Sequence, residues 1–128
     1  MTEIEREPAR DPQDLERLLV ERQRSGDIEG MVSLFESDAV VDVGGGRVLR
    51  GHDEMRAFYL ELVAAGRVFE FGGQQPALIN GDLALSSTRS PDGSVTAEIA
   101  RRQRDGTWLC ALDQYEIASH GGTVSRRR

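Results

Sequence analysis

The sequence predicts one α+β domain, on three observations. Amphipathic helical stretches fill the first half of the chain, and short strands separated by glycine turns fill the second. The two longest strand patterns come last, joined by the tight Asp105-Gly106 turn. Helices followed by a run of antiparallel strands belong to the α+β class. At 128 residues the chain fits a single domain, one that buries roughly two-thirds of its unfolded surface without metal or disulfide staples.

The first helix starts at Asp11-Pro12-Gln13-Asp14, with Asp11 as N-cap and Pro12 at the first helical position. Leu15, Leu18, Leu19 and Arg22 keep helical spacing, and Gly26 stops it. Asp27 caps a second helix whose inward face is Ile28, Met31, Val32 and Phe35. A short strand over 39–43 follows, then the turn Gly44-Gly45-Gly46 and a second strand over 47–50. The glycine run is a turn and not a phosphate loop, because Leu49 breaks the fingerprint and a strand follows it. The third helix is the clearest element: Met55, Phe58, Tyr59, Leu62 and Val63 form one apolar stripe, Asp53 and Glu54 suit its N-terminal dipole, and Gly66 ends it. Strands are expected over 68–71, 76–79, 83–89, 95–103 and 107–117, between turns at Gly72-Gly73, Asn80-Gly81, Pro91-Asp92-Gly93 and Asp105-Gly106. Residues 1–10 read as a disordered arm, 11–117 as the domain and 118–128 as a disordered tail.

Composition excludes several functions. All sixteen basic residues are Arg, so Schiff-base, Ser–Lys and P-loop chemistry lack their amine. A net charge of −6 with dispersed arginines argues against nucleic acid. No apolar run approaches the ~20 residues of a membrane span, and the charged start carries no signal-peptide core, so a cytoplasmic location is expected. Cys110 lies in an apolar strand without a neighbouring His and reads as a packing residue. His52 and His120 show no Cys/His ligand spacing, so neither a metal nor another cofactor is expected. His52 reads as a surface cap beside Asp53, and Trp108 as a core or interface residue.

The final hairpin carries the chemistry. A two-residue turn at Asp105-Gly106 pairs Arg104 with Thr107 and places Glu98 opposite Asp113, Thr96 opposite Tyr115 and Ala100 opposite Ala111. Opposed residues share a face with Cβ atoms ~5 Å apart. Two carboxylates so close raise one pKa sharply in a pocket, giving a proton donor and an acceptor near neutral pH. Ser87 is expected opposite Glu98 across the Asp92-Gly93 turn. The reverse face carries Ile99, Cys110 and Leu112, an apolar patch suited to self-association.

Gly26-Asp27-Ile28, Ser37-Asp38-Ala39-Val40, Gly51 with the Phe58-Tyr59 helix, and Arg104-Asp105-Gly106-Thr107-Trp108 resemble, in order and spacing, the nuclear transport factor 2-like superfamily. Within it the likeness is to SnoaL-like polyketide cyclases and ketosteroid isomerases. The resemblance implies a cone-shaped, cystatin-like α+β roll, with three helices on a strongly curved, mostly antiparallel sheet. It also implies a pocket in the cone and a homodimer through the outer sheet face. It places Asp113 and Tyr115 in the pocket, Glu98 at the neutral hydrogen-bonding acid and Tyr59 at a pocket tyrosine. Leu19 and Phe35 stand where the isomerases carry network tyrosines, and Val43 stands at their general base, with Asp42 one residue before it. Steroid isomerisation is therefore not expected, because those hydroxyls supply the main charge stabilisation.

Two functions follow as expectations. The first is an acid–base enzyme acting on a small hydrophobic molecule by isomerisation, cyclisation, dehydration or epoxide opening. In it Asp113 is the principal base, Glu98 the protonated partner and Asp42 a second candidate base. Tyr59 and Tyr115 orient the ligand, and Phe35, Phe58, Leu19 and Ser87 complete the wall. The second is a non-catalytic dimeric module of the same fold, in which Asp113 only accepts from Tyr59, with Arg89 as counter-ion.

Overall fold

The computed structural model describes residues 5–118. Three helices, α1 (Asp14–Arg24), α2 (Ile28–Val32) and α3 (Gly51–Ala64), precede most of an eight-stranded sheet. The strands are β1 (Phe35–Gly44), β2 (Arg47–Arg50), β3 (Gly73–Gln74), β4 (Leu78–Asn80), β5 (Leu83–Ser86), β6 (Thr88–Arg89), β7 (Val95–Arg102) and β8 (Trp108–Ala118). Their order is β2-β1-β8-β7-β5-β4, with β6 pairing β7 and β3 pairing β6. Among the described residues only β1 and β8 pair in parallel. The expected α+β class and mostly antiparallel sheet are present.

Helix boundaries follow local chemistry. Gln13, not Asp11, is the N-cap of α1; Asp11 instead accepts from the Gln13 amide within a turn that precedes the helix. Gly26 ends α1 at φ 74°, its amide and that of Asp27 closing on the Gln23 and Arg22 carbonyls. The Asp27 carboxylate caps α2 through the Gly30 amide, as expected. The second helix is shorter than expected and the first strand longer. Phe35 already pairs with Cys110, and the Cys110 amide reaches the Leu34 carbonyl, so sheet pairing replaces the next helical turn. In α3 the stripe is inward as expected: Met55 and Tyr59 are fully buried, and Phe58 and Leu62 pack partly against them.

Three further expectations change. Residues 5–10 do not form a free arm: Ala9 is buried, its carbonyl accepts from the Trp108 amide, and Arg6 makes a two-pronged pair with Asp27. Residues 1–4, His120 and the tail beyond Ala118 lie outside the described residues, Ala118 itself ending β8. Segment 68–71 is not a strand. Its backbone is held by α1 side chains, the Gln23 amide donating to the Arg67 carbonyl and accepting from the Phe69 amide, while Arg24 donates to the Phe69 carbonyl. The expected strand over 83–89 breaks at Ser87 into β5 and β6.

The core lies between the helices and the inner sheet face, and includes Val20, Met31, Val32, Val41, Met55 and Tyr59, all nearly or fully buried. Among the described residues no helix is long and apolar enough to cross a membrane.

Candidate functional site

The β7–β8 ribbon positions the central pair. Glu98 and Asp113 are direct cross-strand partners, but not through the expected two-residue turn. Gln103 faces Thr107, and the three residues Arg104, Asp105 and Gly106 form the loop, with Gly106 at φ 86°. That moves the near end of the ribbon by one position, so that Ala100 faces Cys110 and not Ala111. A bulge at Ala111 then restores the register, and Ile99 faces Leu112 and Glu98 faces Asp113. The bulge also turns Cys110 inward: it is buried at 4% exposure, whereas Leu112 on the outer face is 48% exposed. Beyond Ala97 the register shifts again, with Val95 on Ala118, so the expected Thr96–Tyr115 pair falls inside an irregularity.

Asp113 is buried at 9% exposure. Among the described residues its carboxyl has no hydrogen bond or ion pair; Arg89 is exposed on β6 and Tyr59 bonds elsewhere. Glu98 accepts from the Thr96 hydroxyl at 2.5 Å. A third carboxyl, which the sequence reading does not single out, comes from α1: Glu16 borders a cavity of about 20 Å³ with Leu19, Phe35, Ser86, Glu98 and Asp113. That space is of the order of one water molecule. A second, wider cavity of about 130 Å³ shares Glu16, Leu19 and Asp113 with it and opens past Phe69, Glu70 and Tyr115. Asp113 thus belongs to both.

Burial dominates the electrostatics. It pushes Glu98 up to about 7, against the opposing Thr96 hydrogen bond, with Glu16 adding to the rise. Glu16 is pushed up to about 6 by burial. Asp113 is raised well above the carboxylate range by burial first, then by the facing charges of Glu98 and Glu16. Asp113 thus feels the charge of both other carboxyls.

The remaining expected residues divide. Leu19 and Phe35 wall the inner cavity, and Tyr115 the outer one. Tyr59 is fully buried behind them, its hydroxyl 2.6 Å from that of Tyr115, and burial raises both phenols. Phe58 stacks edge-on against Tyr59 and Tyr115 and lines neither cavity. Ser87 does not face Glu98: Ser86 takes that position, and the Ser87 hydroxyl donates to the Thr96 carbonyl. Asp42 is also misplaced by the sequence reading. Val41 points into the core, so Asp42 turns outward, accepts from the Gly44 amide and borders a groove on the outer face. His52 binds the Phe35 carbonyl, and Trp108 is buried under Arg102. Among the described residues no group of three or more His, Cys, Asp or Glu side chains is arranged to hold a metal.

No protein-family model matches the sequence, and no curated protein matches it. Solved structures do resemble it. A nuclear transport factor 2-like protein with a cystatin-like fold from Novosphingobium aromaticivorans is 22% identical at a TM-score of 0.64, over 87% of this chain and 80% of that one. A ketosteroid isomerase-like protein from Erwinia carotovora atroseptica is 18% identical at 0.64, over 83% and 93%. A putative calcium/calmodulin-dependent protein kinase type II association domain from Thiobacillus denitrificans is 12% identical at 0.72, over 85% and 96%. The chain therefore has the cystatin-like fold shared by nuclear transport factor 2-like and ketosteroid isomerase-like structures.

Proposed function

We propose that the paired cavities form an acid–base site for a small, largely apolar molecule. The observation that carries the reading is the Asp113 carboxyl, buried, unpartnered among the described residues and facing Glu98. Protonated Asp113 donates to an oxygen on which charge develops, while Glu98, pushed up to about 7, accepts a proton from the adjacent carbon. A base near the working pH combines the right protonation state with driving force, and a neutral buried acid stabilises an enolate-like oxygen. Glu16 adds to the rise of both groups, which holds Asp113 neutral and strengthens Glu98 as a base once it is ionised. Isomerisation, cyclisation, dehydration and epoxide opening all use such a donor–acceptor pair.

The test is α-hydrogen exchange of cyclohexanone in deuterated buffer, followed by proton NMR. Exchange accelerated over buffer, and reduced ~100-fold or more in Glu98→Gln, supports the reading. Equal exchange with the wild type and with a Glu98→Gln/Asp113→Asn double variant removes it.

A homodimer through the outer sheet face belongs to the same proposal. Val48, Leu85 and Leu112 are each more than 40% exposed there and, with Ile99, border one groove. Leu112→Arg is expected to convert a dimer to a monomer in light scattering after size exclusion; a monomeric wild type contradicts the proposal.

A further inference from the structure

The wider cavity is bordered by three carboxyls, Glu16, Glu70 and Asp113, and by no basic side chain. That imbalance occurs in a chain with sixteen arginines. Arg24 donates to the Phe69 carbonyl and lies over the Phe71 ring, and Arg17 pairs with Glu7, Asp14 and Glu21. Two aromatic rings, Phe69 and Tyr115, meet edge to face at 6.1 Å and 86° on the cavity wall. Ring faces attract a cation within ~6 Å, and more strongly where water is excluded. Asp113, only 9% exposed and without a hydrogen bond or ion pair among the described residues, lines this space.

We propose that this cavity takes a small organic amine as its ammonium ion, its nitrogen between Asp113 and Glu16 and its apolar body against Leu19, Phe69 and Tyr115. The proposal rests on the reading of the cavities as the functional site; in the amine complex Asp113 gives up the proton that it holds in the ligand-free protein. At about 130 Å³ the space is close to that of an engineered cavity of ~150 Å³ that accepts benzene, so the body is one ring or a branched chain. An ammonium ion replaces the protons that the crowded carboxyls otherwise retain, so binding releases protons and strengthens as pH rises through the Glu16 range, about 6.

Calorimetry on the full chain at a pH of about 7.5, where an alkylamine is cationic, compares benzylamine, benzyl alcohol and benzoate. Benzylamine is expected to bind at least ~10-fold more tightly than the alcohol, with proton release seen in buffers of different ionisation enthalpy. Benzoate is expected not to bind. The preference should fall to about threefold or less in Glu16→Gln and in Asp113→Asn. Equal or tighter binding of the alcohol or benzoate overturns the amine assignment, as does absence of binding by all three. Carboxyl titrations run alongside separate the two failures: raised midpoints without amine preference leave the acid–base site standing, and ordinary midpoints remove both.

Discussion

Glu98 and Asp113 stand directly opposite one another on β7 and β8, and among the described residues no cation lies between them. On a solvated face such a pair is a mild defect that water and salt screen. Here Asp113 is buried, and Glu16 approaches the same cavity from the helical side. Two like charges in that setting cannot both ionise cheaply, so the fold holds protons on them.

That arrangement gives stability a defined pH dependence. Glu16, Glu98 and Asp113 all have folded pKa values above their unfolded ones. Their contribution is full below the unfolded value of about 4 and is lost as pH rises through about 6 for Glu16 and about 7 for Glu98. Glu7, Asp27, Glu29 and Asp105 are shifted the other way, first by hydrogen bonds from Arg17, Arg6, Arg56 and Thr107, and lose theirs as pH falls. The thermal midpoint is therefore expected to be highest near pH ~5 and to fall by roughly 5–10 °C toward pH ~8. Glu98→Gln should flatten that slope, as measured by calorimetry across the range.

Tyr59→Phe should destabilise the fold by about 1–2 kcal/mol. The lost hydroxyl leaves the Tyr115 phenol without the 2.6 Å partner it has behind the cavity. Denaturant midpoints measure the loss, and Phe58→Leu serves as a control because it removes ring contacts but no hydrogen bond.

Gln23→Ala should loosen the segment that carries Phe69 more than it unfolds the domain. One side-chain amide there satisfies both the Arg67 carbonyl and the Phe69 amide, and losing it costs ~1–3 kcal/mol locally. Faster hydrogen exchange at the Phe69 amide, with unchanged protection in β8, is the expected pattern.

Much of this was legible before any coordinates. Leu15, Leu18 and Leu19, the α3 stripe and the glycine turns mark the helices and strands because burial imposes periods of 3.6 and 2. A two-residue turn predicts the Glu98–Asp113 pairing for the wrong reason: a three-residue loop displaces the ribbon by one position, and the Ala111 bulge displaces it back. Bulges leave little trace in composition, so the cancellation was not visible. Glu16 does not stand out in the sequence, because a charged residue beside Leu15 reads as the solvent side of α1. Its place three residues before Leu19 and seven before Gln23, both buried, was the signal that it shares their face. The 68–71 segment reads as a strand from Val68, Phe69 and Phe71, but what fixes it is a pair of α1 side chains, a tertiary choice that local propensity does not encode.

Carbon-13 NMR of the side-chain carboxyls across pH reads the protons on Glu98 and Asp113 themselves. Glu98 is expected to titrate at about 7, Asp113 to keep its proton well beyond the ordinary carboxylate range, and Glu98→Gln to bring the Asp113 midpoint down. Midpoints for both near 4, the values of free carboxyls, unchanged by that substitution, would contradict this.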